Sequence, residues 1–86
     1  MPTISMFRGI KVFINWREHQ PPHFHATYGG EEVIVSIKEI EVIDGSIPSK
    51  QLKMLLGWAA LHQDELMDNW LLAEKKQELF PIKPLC

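Results

Sequence analysis

The sequence predicts an α+β fold: a small antiparallel sheet of three to five strands, packed on one face by a long C-terminal helix. Three observations predict it. Apolar and polar residues alternate through much of the first half, with the period of two expected of a half-buried strand. Proline and glycine pairs interrupt that half at spacings suited to short strands and hairpins. From residue 49 to residue 77 there is no proline, and apolar residues recur at helical spacing. A chain of 86 residues allows a single domain, 1–86, which divides into a strand-rich part (1–46), a helical part (47–78) and an extended tail (79–86).

The first strand is marked by Ile10, Val12, Ile14 and Trp16, which alternate with Lys11, Phe13, Asn15 and Arg17. Pro21 and Pro22 then break the ladder, because neither can donate a backbone hydrogen bond. The second strand puts Phe24, Ala26 and Tyr28 on one face and His23, His25 and Thr27 on the other. Gly29-Gly30 is a hairpin signal. The third strand, 32–38, turns Val33, Val35 and Ile37 to the core, and Ile40, Val42 and Ile43 suggest a short further strand before a turn at Asp44-Gly45. Pro48 suits the first turn of the helix that follows. A step of about 100° per residue collects Leu52, Leu55, Leu56, Ala59, Leu66, Met67, Trp70 and Ala73 on one stripe against the sheet. Lys75 and Lys76 fall in its last turn, and the apolar tail, broken by Pro81 and Pro84, should run extended across the body.

Met54, Trp58, Leu61 and Leu72 fall opposite that stripe. Large apolar groups on the water side of a helix call for a cover. The tail, a partner chain (a second copy included) or a helix break near Gly57 would each supply the explanation.

Composition narrows the function classes. Nine Lys and Arg against eleven Asp and Glu leave a net charge of −2, which argues against a strongly basic, non-specific nucleic-acid binder. The single Cys, Cys86, excludes an internal disulfide and a multi-cysteine zinc site. No apolar run approaches the roughly 18–20 residues of a membrane span, and residues 1–20 hold no secretory core. The expectation is a cytoplasmic protein with no membrane association.

The chemically distinctive segment is His19-Gln20-Pro21-Pro22-His23-Phe24-His25. His23 and His25 share a strand face, and Lys11, Arg17 and Lys38 are expected on the same side, away from the helix. Three readings follow. His23 and His25 could act as base and acid on a phosphodiester without a metal, with Lys11, Arg17 or Lys38 contacting phosphate. His19, His23 and His25 could ligate zinc or another transition metal. Or the histidines could be structural, bonded to backbone and carboxylates. His62 stands apart and reads as a flank of the core stripe. No serine triad or phosphate cradle is recognisable.

Several segments together resemble a known family. They are Met1-Pro2-Thr3-Ile4-Ser5-Met6-Phe7 with Gly9-Ile10, Pro21-Pro22-His23-Phe24-His25-Ala26 with Tyr28-Gly29, and Trp58-Ala59 with His62 and Glu65-Leu66. Asn69-Trp70 and Ile82-Lys83-Pro84-Leu85 complete the pattern. The chain is similar to the small bacterial family called domain of unknown function 4160. That resemblance implies a component of a toxin–antitoxin-like gene pair whose partner is a small protein from an adjacent gene, of the family called domain of unknown function 2442. It does not supply a mechanism. It also draws attention to the ridge of Trp58 and His62, four apart, so that Met54, Trp58, Leu61, His62 and Leu72 are the expected partner-binding residues. A catalytic toxin would use His23 and His25 on RNA. A non-catalytic interaction module would use the helix ridge instead.

Overall fold

The computed structural model describes residues 3–16 and 19–85. Five strands precede two helices: β1 (Thr3–Phe7), β2 (Ile10–Phe13), β3 (His23–Tyr28), β4 (Glu31–Ser36), β5 (Val42–Gly45), α1 (Ser49–Leu61) and α2 (Gln63–Glu74). The strands form one antiparallel sheet in the order β1-β2-β3-β4-β5, a simple meander. The α+β class is as expected, but the single long helix is two.

β1 escaped the alternation pattern for a local reason. A bulge between Thr3 and Ser5 turns Ile4 and Ser5 inward in succession, so the period of two is broken. Arg8 and Gly9, both at positive φ, join β1 to β2, and Gly29 and Gly30 join β3 to β4, as mirror-image hairpin turns require. β2 stops at Phe13, short of the expected Trp16, because Pro21 and Pro22 lie where β3 would have to continue to pair with it. Ile14 stays buried, whereas Trp16 is exposed.

β4 ends at Ser36, two residues earlier than expected. The Ser36 carbonyl accepts the Ile40 N–H and its hydroxyl accepts the Glu39 N–H, which curls residues 37–40 into a turn with Ile40 at a φ of 52°. Asp44 and Gly45, expected as a turn, belong to β5 and pair with Ile34 and Val33. Gly45 sits at a φ of 76°, and a Cβ there would fall on the Glu32 carbonyl oxygen, so glycine is required by both conformation and space.

Ile10, Val12, Phe24, Ala26, Val33 and Val35 line the sheet face that packs against Leu55, Trp58, Ala59, Leu66 and Trp70. Burial of each such side chain contributes about 1.5–3 kcal/mol. The helix break lies at His62 and not near Gly57, which remains inside α1. His62 has φ −118°, its N–H caps α1 on the Trp58 and Ala59 carbonyls, and its own carbonyl accepts the Leu66 N–H. Gln63 Nε2 donates to the Ile37 and Lys38 carbonyls, at 2.7 and 3.0 Å, and so anchors the start of α2 to the end of β4.

That break corrects the placement of Trp58. One continuous wheel put it opposite the core; within α1 alone it lies three residues from Leu55, on the same face, and it is fully buried. Met54 and Leu72 are half-buried, and only Leu61 of the expected outer set is prominent, at 76% exposure. Lys75 and Lys76 follow α2 instead of closing its last turn. Lys76, at φ 58°, and Gln77 donate back to the Ala73 and Leu72 carbonyls, a C-terminal stop usually built on glycine.

The tail supplies the cover. Ile82 is buried, its N–H donates to the Ile4 carbonyl, and its carbonyl accepts the Ser5 hydroxyl. Trp58 Nε1 donates to the Lys83 carbonyl at 2.9 Å. The buried Asn69 amide both donates to the Phe80 carbonyl and accepts the Phe80 N–H. Among the described residues, no helix is long and apolar enough to cross a membrane.

Candidate functional site

His23 and His25 are brought together on β3 as expected, but they do not form an open sheet face. Cross-strand register sets Phe13 opposite His25, and the two rings stack at 5.0 Å with planes 7° apart. Phe13, expected outward beside Lys11, is therefore buried. His23 meets His25 edge to face at 5.2 Å, and it also meets Trp70 of α2 at 5.0 Å with the planes tilted by 51°. Phe13, His25, His23 and Trp70 thus form one continuous seam from β2 to α2, so the histidine side is not clear of the helices. The Trp70 Nε1–H finds no hydrogen-bond partner among the described residues.

The tautomers follow from the partners. The His25 Nδ1–H donates to the Glu32 carboxylate at 2.8 Å, and the His23 Nδ1–H donates to the Pro21 carbonyl at 2.8 Å. Neither acceptor carries a proton to give, so each Nδ1 must hold one. Any proton transfer by either ring would fall to its Nε2. The His25 side chain is only 9% exposed, while Glu32 is 48% exposed.

Glu32 is the residue that sequence reasoning did not single out. The signal was present: a two-residue turn at Gly29-Gly30 pairs Thr27 with Glu32, which makes Glu32 a diagonal neighbour of His25 on the same face. The other candidates are more scattered. Lys11 pairs with Thr27 on the His25 face. Lys38, expected on a strand, stands exposed in the turn after β4. Arg17 lies outside the described residues, as does Cys86.

The three-histidine metal set is not assembled. His23 and His25 each commit Nδ1 elsewhere, and their rings meet edge to face. His19 is exposed, and among the described residues no three His, Cys, Asp or Glu side chains gather closely enough to hold an ion. His62 forms a separate pair, its Nδ1–H donating to Glu65 at 2.6 Å while its ring rests on Trp58 at 5.5 Å.

The family model for a domain of unknown function (DUF4160) matches residues 9–71. The chain belongs to this family. No curated protein and no solved structure matches it significantly. The DUF4160 match takes in the histidine seam, the β4–β5 hairpin, the helix break and the His62–Glu65 pair, and it leaves β1 and the tail outside.

Proposed function

We propose that this chain is a non-catalytic protein-binding module, one half of a toxin–antitoxin-like gene pair, whose partner is the small protein encoded beside it. The observation that carries the choice is the state of His25. Its ring is buried under Phe13 and tied to Glu32, an arrangement that serves packing and register. A phosphodiester has to reach both members of an acid–base pair, and His25 offers little surface to reach. What remains for function is surface, and Leu61, Val42 and Ile43 are large apolar groups left exposed on it. The gene-pair setting rests on the family resemblance.

One observation favours the rival, metal-independent RNA cleavage. A carboxylate on Nδ1 is the support a catalytic imidazole uses to stabilise its protonated form, and a second imidazole stands 5.2 Å away. Growth of a bacterial host after induction of this chain, beside its His23→Ala/His25→Ala variant at matched soluble expression, separates the two. The binding-module reading expects no arrest that depends on the histidines. Arrest by the wild type alone would overturn it. Its positive test is a stoichiometric complex between the full chain and the neighbouring gene's product by titration calorimetry; no heat from the wild-type pair would count equally against it.

A further inference from the structure

Pro21, Ser36 and side chains between Lys38 and Ile43 line a shallow depression of about 270 Å³ at the β5 edge of the sheet. Its apolar wall is Pro21, Val42 and Ile43, and its rim carries Lys38, Glu39 and Glu41. Val42 and Ile43 are 40% and 48% exposed, whereas the other sheet edge, β1, is met by the tail at Ile4 and Ser5. The chain's charge is divided unevenly about this place. Residues 31–45 hold five of the eleven acids and one of the nine bases, so the rest of the molecule is net positive while this hairpin is strongly negative.

We infer that the depression is the docking site of a basic, extended segment of a partner protein, one large apolar side chain seated against Pro21, Val42 and Ile43 with flanking cations on Glu39 and Glu41. The inference rests on the binding-module reading above and names where and by what chemistry the partner is held. The acids choose among occupants. A second copy docking by this same face would bring like charges together. A nucleic acid would meet the most negative part of the chain.

The edge also decides the manner of binding. Ile43 is the extra residue of a bulge, since Ile34 pairs with Asp44 while Val35 pairs with Val42. The Gly45 N–H is already taken by the Asp44 carboxylate at 2.9 Å. A short, bulged, acidic edge resists extension of the sheet by another strand. The partner is therefore held by side chains.

The test uses the isotopically labelled full chain and three probes followed by amide chemical shifts: a twelve-residue Lys/Arg peptide with one central Leu, the same peptide with Glu for each cation, and a twelve-nucleotide single-stranded RNA. The expected result is shifts confined to residues around 21 and 37–45 with the basic peptide only. Glu39→Lys/Glu41→Lys should weaken that binding by about tenfold at low salt, and Ile43→Ser should weaken it while leaving the melting temperature near the wild type's. Shifts that map elsewhere, unchanged affinity in the charge-reversed variant, or equal binding of the acidic peptide or the RNA would overturn the proposal. Concentration-dependent shifts at the same residues without peptide would assign the depression to a second copy and overturn it too. The same charge-reversed variant, titrated with the neighbouring gene's product, separates the two levels: full binding sinks this site and leaves the binding-module reading standing.

Discussion

His25 combines a packing role and a polar one in a single side chain. Its ring fills the space over Phe13, and its Nδ1–H occupies one oxygen of Glu32. Replacing it with Ala removes the stack and leaves a hole, so His25→Ala should cost about 2–4 kcal/mol in urea unfolding. Glu32→Gln retains an acceptor for the same N–H and should cost under about 1 kcal/mol. Loss of partner binding in titration calorimetry without loss of stability in His25→Ala would contradict a structural histidine. Gly45 poses a separate constraint. Gly45→Ala forces a β-carbon onto the Glu32 carbonyl in a left-handed conformation, and about 1–3 kcal/mol of destabilisation is expected, with faster amide exchange along β4 and β5 as the local signature.

At the scale of elements, the tail and the helix break are the decisive features. Asn69 satisfies both backbone groups of Phe80, so Asn69→Leu would leave two half-buried polar groups without this partner and should cost about 1–3 kcal/mol. The Phe80 amide should then lose its exchange protection. Leu61→Ser, at an exposed position past the last buried turn of α1, should change stability by less than about 0.5 kcal/mol. Most of the elements were legible beforehand. β2, β3, β4 and the helical stretch announced themselves through period, paired glycines and absence of proline. β1 did not, because its bulge spoils the alternation, and the end of α1 did not, because no glycine or proline stands at His62. There the chain is turned by Gln63 reaching to the Ile37 and Lys38 carbonyls, a bond between residues about 25 positions apart.

Across the whole molecule, burial and charge divide the surface into regions of different use. Helices and tail cover one face of the sheet, the aromatic seam runs over part of the other face and reaches α2 at Trp70, and the acidic β4–β5 hairpin remains open. A partner held mainly by opposite charge binds less tightly as salt rises. The complex with the neighbouring gene's product should therefore weaken several-fold between about 50 and 300 mM salt, measured by calorimetry at fixed temperature. An affinity independent of salt would point to the apolar Leu61 surface instead.

The sequence by itself determined the α+β class, the inner faces of β3 and β4, the juxtaposition of His23 and His25, and the family to which the chain belongs. These depend on local period, turn chemistry and contiguous motifs, all of which are written within a few residues. Only the tertiary structure decided that Trp58 is core, that the tail rather than a partner receives its indole, that Glu32 holds His25, and that His19, His23 and His25 do not gather as a metal set among the described residues. Each of those depends on where distant segments meet, and side chains of unchanged identity become catalytic, structural or exposed according to what is packed against them.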